Sequence, residues 1–309
     1  MRILKKIKHS LQSRTFIQDV FGYSLIKLGF ADKYLSGLVT MYHSYSWLYK
    51  RFYDLPRISG ISEMMPSQKV EVEKIWICWF QGLENAPDIV KKCVESVRYW
   101  NPDKEIIIIT SENMNQYVRF PEYILKKWRQ GIITNTHLSD LLRLELLITY
   151  GGLWVDATTY LTGPLPQYIT RNDFFVYRNG WMDMEMINMG SWLMYAKTTN
   201  NSLLCMTRDL LYEYWKKYNY LKNYFLMHMF FKIATEKNPE EWNAIPVINH
   251  IDCHLLMNEL TKKYIPERCE DILAITSVHK LTYKFSSNEK GITADFLDQI
   301  YRNSNTMDI

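Results

Sequence analysis

Apolar residues along this chain fall into two recurring patterns. Lys74-Ile-Trp-Ile-Cys-Trp-Phe80 and Ile106-Ile-Ile-Ile109 are short runs rich in β-branched and aromatic side chains, which predicts buried strands. Between them Val90, Val94 and Val97 recur at helical spacing behind Pro87, predicting a helix up to Trp100. Thr110 and Ser111 then read as helix caps. Helices are predicted over about 121–130 and 136–150, stopped by Gly131 and Gly151, and a third strand over 153–157 has Asp156 as its only charged member. Beyond it, 174–177 and 191–196 are strand-like, and 203–218, 222–235 and 252–263 are helical. Strand, helix, strand, helix in succession predicts an α/β domain around a parallel sheet.

The opening segment differs. Residues 1–57 crowd aromatics such as Phe16, Phe21, Phe30, Tyr34 and Tyr42 among ten basic and three acidic side chains, a balance of +7, whereas the remainder holds 27 basic against 30 acidic, or −3. Such a mixture suits the face of an anionic membrane, and equally a helical extension packed on the main domain with its lysines solvated. Residues 58–72 lose periodicity and collect Ser59, Gly60, Ser62, Pro66 and Ser67, which reads as a linker. The expected organisation is a basic helical extension at 1–57, a linker at 58–72, the main domain at 73–290 and a tail at 291–309.

Composition narrows the function. With 309 residues, 47% hydrophobic and 23% charged, the chain has ample material for a core and is no low-complexity or disordered polymer. A net charge of +4 is too mild to imply nucleic acid, and none is expected as a partner. Five scattered cysteines without a Cys-x-x-Cys pair fit reduced thiols and a cytoplasmic location. The longest uncharged run, 34–49, is broken by Ser36, Gly37, Thr40 and His43, so no membrane span is expected. Dinucleotide, P-loop, nucleophile-elbow and zincin motifs are missing, and His250 and His254 read as part of a helix start.

The chemistry concentrates in Thr136-His-Leu-Ser-Asp-Leu-Leu-Arg-Leu-Glu-Leu-Leu-Ile-Thr-Tyr-Gly-Gly-Leu-Trp-Val-Asp-Ala-Thr158. Asp140 and Arg143 are three apart on one helix face. The glycine pair lets the chain reverse into the next strand, and a carboxylate closing a buried strand needs a cationic partner. Open α/β sheets bind ligands at that carboxyl edge, so Asp156 is a site candidate.

Ser139-Asp140-x-x-Arg143 followed by Gly151-Gly-Leu-Trp-Val-Asp156 resembles the signature of glycosyltransferase family 32 and related sugar-transferring toxins. Within that group Lys74-Ile-Trp-Ile-Cys-Trp-Phe-Gln-Gly82, Ala86-Pro87 and Val278-His-Lys-Leu281 resemble the bacterial capsular polysaccharide synthesis proteins, over roughly residues 70–285. The resemblance implies a GT-A type, Rossmann-like mixed sheet flanked by helices, and a retaining transferase that moves a hexose from a nucleotide-diphospho-sugar, a UDP-sugar above all. The acceptor it implies is a glycan precursor of a capsular, exo- or lipopolysaccharide, lipid-linked as a rule, which would bring the protein to the inner face of the plasma membrane. A catalytically silent sugar-nucleotide binder or assembly scaffold is the alternative.

By position, Asp140 and Arg143 look like the pair holding the donor sugar and phosphate, Trp76 like the aromatic that stacks on the base, and Asn188 like a contact near the reacting carbon. Asp156 matches the first carboxylate of the Asp-x-Asp metal motif, whose second is replaced by Thr158. A hydroxyl is a poorer ligand for a hard cation, so Mg²⁺ or Mn²⁺ is expected to rely on Asp156, Thr158, the diphosphate and His279. Lys280 is expected to close the diphosphate from the C-terminal side.

Overall fold

The computed structural model describes residues 7, 10–55, 68–70, 74–179, 185–286, 293 and 295–300. The expected linker lies outside them except for 68–70, as does the expected tail except for 293 and 295–300. Two helices, α1 (Phe16–Lys27) and α2 (Lys33–Phe52), form the N-terminal hairpin.

The sheet grows outward from β1 (Lys74–Cys78). From it α3 (Asp88–Trp100) leads to β2 (Glu105–Ile109), where Ile89, Val90, Cys93, Val94 and Val97 supply the buried stripe of α3. The chain returns through α4 (Glu122–Arg129) and α5 (Asn135–Tyr150) to β3 (Gly152–Val155) on the other side of β1. Both pairings with β1 are parallel. A hairpin-like excursion through β4 (Thr159–Leu161) leads to β5 (Phe174–Arg178) and β6 (Met189–Ala196), giving the order β2-β1-β3-β6-β5. Strand β6 runs antiparallel to both β3 and β5, so the sheet is mixed. After α6 (Ser202–Lys217), α7 (Leu226–Lys237) and α8 (Pro266–Ile275), strand β7 (Val278–Lys280) returns to pair antiparallel with β4 in a separate ribbon.

Alternation along the strands divides the core. Trp76 and Trp154 point to the layer of α5, α6 and α7, while Ile75, Ile77, Leu153 and Val155 point to the layer of α3 and the β4–β7 ribbon. Helix α5 is enclosed nearly all round, which is why its leucines show no single stripe. Helix α2 joins the first layer through its last turns, with Phe52 edge-on to Phe230 at 5.1 Å and Tyr45 donating to Glu236 at 2.9 Å.

Two predicted helices are cut back. The one expected at 222–235 starts at Leu226, because the preceding residues form a turn in which the Lys222 N–H donates to the Tyr214 hydroxyl and the Phe225 N–H to Asn223 Oδ1. The one expected at 252–263 breaks into two short turns around His254.

Candidate active site

The turn from α5 into β3 sets the site. Gly151 and Gly152 have φ of +62° and +90°, in the region that favours glycine. A side chain at Gly152 would strike the Lys74 carbonyl, and one at Gly151 would come within 2.5 Å of Val70. This tight reversal lays β3 against β1 and leaves Asp156 just past the carboxyl end of β3, its N–H donating to the Trp192 carbonyl at 2.8 Å.

Helix α5 begins at the N-cap Thr134, which accepts from the His137 N–H. One turn later Asp140 and Arg143 face each other, with Nη2 of Arg143 3.1 Å from Asp140 Oδ1. The guanidinium also donates to the Ser191 carbonyl and to Ser191 Oγ at 2.9 Å, lies 4.9 Å over the Trp154 ring, and reaches Asp156 Oδ1 at 3.5 Å. Asp140 has a second neighbour: His137 Nε2 accepts the Trp215 indole N–H, and His137 Nδ1 stands 3.4 Å from Asp140 Oδ2. Both side chains are buried.

Asp156 is held from three sides. Lys280 Nζ is 3.0 Å from Oδ2, and the Trp154 indole donates to Oδ1 at 3.0 Å, the third contact being Arg143. Burial pushes this carboxyl up, but Lys280, Arg143 and Trp154 together outweigh it and hold it below the usual aspartate range. The same ammonium donates to Thr158 Oγ1. It is delivered by the ribbon, where Lys280 pairs with Thr159 and the Leu281 N–H donates to the Thr158 carbonyl.

These groups line a cleft of about 560 Å³ at the carboxyl ends of β1 and β3, bordered by Asn135 and Thr136 of the first turn of α5. Its charged lining is Arg143, Lys280 and Lys284 against Asp140 and Asp156, a net positive wall. Such a wall, beside the positive end of a helix dipole, suits an anion. Cys78 also borders it, but burial pushes its thiol up to about 12, so it is protonated and a poor nucleophile.

Residues 45–300 match the profile of the capsular polysaccharide synthesis protein family. The chain belongs to that family. It is 32% identical over 98 residues to the O-glycosyltransferase braB of Annulohypoxylon truncatum, covering 29% of this chain and 23% of that protein. It is 26% identical over 116 residues to the glycosyltransferase afumC of Aspergillus fumigatus, covering 35% and 30%. The chain thus matches less than a third of the length of these relatives. Among solved structures it is similar to the PaToxG glycosyltransferase, with a TM-score of 0.40 and 14% identity over 92% of this chain and 96% of that one. A glycosyltransferase involved in glycosylation of the major capsid of PBCV-1 gives a TM-score of 0.35 and 11% identity over 74% and 99%.

In this member of the family the cleft gathers Asp140, Arg143, Asp156, Thr158 and Lys280, and leaves out three predicted residues. Trp76 is 0% exposed, its indole donating to the Gly151 carbonyl at 2.9 Å and its ring edge-on to Tyr117, so it has no face for a base. His279, next to Lys280 on β7, points the opposite way, as neighbours on a strand must. It is 0% exposed, contacts Thr162 Oγ1 through Nε2, and burial pushes it down to about 3. Asn188 donates to Thr235 Oγ1 on α7 and does not border the cleft.

Of the expected metal donors only Asp156 and Thr158 converge, and the point they share is taken by the Lys280 ammonium. His279 is turned away, and Asp156 Oδ2 and Thr158 Oγ1 both hold the Lys280 ammonium. Among the described residues no group of three or more His, Cys, Asp or Glu side chains could hold a metal ion. One carboxylate with both oxygens engaged by cations or an indole N–H does not fit a divalent ion.

The cleft adds residues that sequence reasoning missed. Trp79 lies one residue past β1 and packs edge-on with Tyr283 at 5.3 Å, and both border the cleft. The strand-end rule that selected Asp156 also selects Trp79. Trp154 sits inside the recognised Gly-Gly-Leu-Trp-Val-Asp run, where its contact with Arg143 is invisible to spacing. His228 borders the cleft from α7, its Nδ1 lacks a hydrogen-bond partner among the described residues, and burial pushes it down to about 4.

Proposed function

We propose that this protein is a retaining glycosyltransferase, moving a hexose from a nucleotide-diphospho-sugar, a UDP-sugar by preference, to a glycan precursor of a cell-surface polysaccharide. The observation that carries this reading is the Lys280–Asp156–Arg143–Asp140 chain along one wall of a net positive cleft. Family membership and the glycosyltransferase names of the relatives support it.

In this reading the diphosphate lies against Lys280, Lys284 and the first turn of α5, with the base beside Trp79 and Tyr283. Breaking the C1–O bond to the diphosphate builds positive charge on C1 and negative charge on the leaving oxygens. Fixed cations lower that barrier without having to reorganise. The acceptor oxygen bonds to C1, and its proton leaves with the diphosphate. Asp156 holds the Lys280 ammonium in place, and Asp140 with Ser191 holds Arg143. Lys280 takes the place in which a metal was expected, so no step runs through a metal ion.

The test is a screen of UDP- and GDP-sugars, reading nucleotide release and the sugar product by mass spectrometry. Release from at least one donor, lost in Asp156→Ala with the fold intact, supports the proposal. Nucleotide binding without release from any donor, with or without acceptor glycans, would make the chain a silent binder and overturn it.

A further inference from the structure

We propose that the α1–α2 hairpin docks the protein on an anionic lipid bilayer. The hairpin has inverted polarity. Helical hairpins in water bury apolar side chains between their helices, whereas no apolar side chain of α1 is fully buried here and several contacts across to α2 are small or polar. Gly22 sits against Ser36, Thr40 donates to Asp19 at 3.2 Å, and Gln18 meets His43 at 3.4 Å. Gly22 is the only buried residue of α1.

Many of its large apolar side chains point outward instead. Ile17 is 77% exposed, Leu28 69% and Phe30 74%, and Phe21, Tyr34 and Tyr42 are also exposed. Small and polar residues between helices, with apolar and aromatic residues outside, is the arrangement that lipid favours. This face is not needed for packing against the sheet domain, because the hairpin is anchored by the far end of α2 through Leu48 and Phe52. Most of the hairpin also precedes the family-matched segment, which begins at residue 45.

Charge decides the lipid. Lys27 and Lys33, both exposed, bracket the turn that carries Leu28 and Phe30. Residues 1–14 hold Arg2, Lys5, Lys6, Lys8 and Arg14 and no acidic side chain. The acidic groups of the hairpin are occupied, Asp19 by Thr15 and Thr40 and Asp32 by the Leu35 N–H at the start of α2. No helix among the described residues is long and apolar enough to cross a membrane, so the hairpin lies in the interface. A groove of about 510 Å³ lies on the hairpin, with Leu38, Val39, Tyr42 and Met186 beside the polar Gln18, His43 and Ser46. The inference is independent of the transferase reading.

The test is co-sedimentation of the full chain with vesicles of phosphatidylcholine alone or with 30 mol% phosphatidylglycerol, a composition chosen as roughly that of an anionic leaflet. Binding is expected only with the anionic vesicles. The triple substitution Leu28→Ser, Phe30→Ser, Tyr34→Ser should weaken it at least tenfold, and Lys27→Glu with Lys33→Glu severalfold, with unchanged circular dichroism and melting. Three results would overturn the proposal: no binding to either vesicle, equal binding to both, or a dimer in gel filtration that the triple substitution dissociates while vesicle binding stays the same.

Discussion

Replacing Lys280 by Met removes one charge and little volume from the cleft wall. Its ammonium stands 3.0 Å from Asp156 Oδ2, a distance at which two unit charges attract by roughly 5 kcal/mol at an effective dielectric of about 20. Desolvation of both groups offsets much of that in the resting protein, and Arg143 and Trp154 stay beside Asp156, so the fold should survive. The proposed transfer has no such compensation. Removing one fixed donor from a developing anion costs roughly 10²–10³ in rate, or about 3–4 kcal/mol. We therefore expect nucleotide release from the best donor to fall by about that factor in Lys280→Met, and the wild-type rate to be unchanged by excess EDTA. A wild-type rate abolished by EDTA and restored by Mn²⁺, or a Lys280→Met variant within about threefold of wild type, would refute the assignment of Lys280 as the cation of this site.

Three further outcomes follow from the same geometry. Trp76→Phe should cost about 1–3 kcal/mol of stability in urea titrations, by leaving the buried Gly151 carbonyl without its donor, while donor affinity stays unchanged; Trp79→Ala should do the reverse, weakening nucleotide binding in calorimetry. His279, pushed down to about 3 by burial, stays neutral in the folded protein while the unfolded chain binds a proton below about pH 6.5; its contribution is therefore complete above that pH and is lost at about 1.4 kcal/mol per unit as the pH falls toward 3, a slope that His279→Gln should reduce by one proton in urea midpoints measured between pH 7.5 and 4.5. Gly152→Ala should prevent folding or lower the melting temperature by many degrees, because both its φ and the Lys74 carbonyl forbid a side chain.

The parts of this site that repeat at short range are legible in the sequence. Asp140 and Arg143 announce themselves by helical spacing, and Asp156 by closing an apolar strand at the edge where α/β sheets bind ligands. The central strands are legible for the same reason, since unbroken apolar runs have few other uses. What depends on distant pairing is not. Strands β4 and β7 have three residues each, too few for a period, yet their register decides that Lys280 and not His279 enters the cleft. The choice between Trp76 and Trp79 turns on which side of a strand end each residue lies. An apolar run shows that both are aromatic, but only the ending of β1 at Cys78 frees Trp79 to border the cleft.

The hydroxyl at Thr158 and the presence of Lys280 are best understood together. A motif with two carboxylates would set two negative charges beside an incoming diphosphate and would need a divalent ion to reverse that repulsion. With Thr158 there is one carboxylate, and its charge is met by Lys280 on one oxygen and by Arg143 and the Trp154 indole on the other. On the proposed reading Asp156 anchors the Lys280 ammonium in place of ligating a metal ion. The hydroxyl of Thr158 completes the seat by accepting from the same ammonium. On the proposed reaction a carboxylate placed at Thr158 would bind Lys280 more tightly and draw it from the leaving group, so Thr158→Asp should lose nucleotide release without added metal. A Thr158→Asp variant that keeps its full rate in EDTA would show that the ammonium is not shared with the substrate.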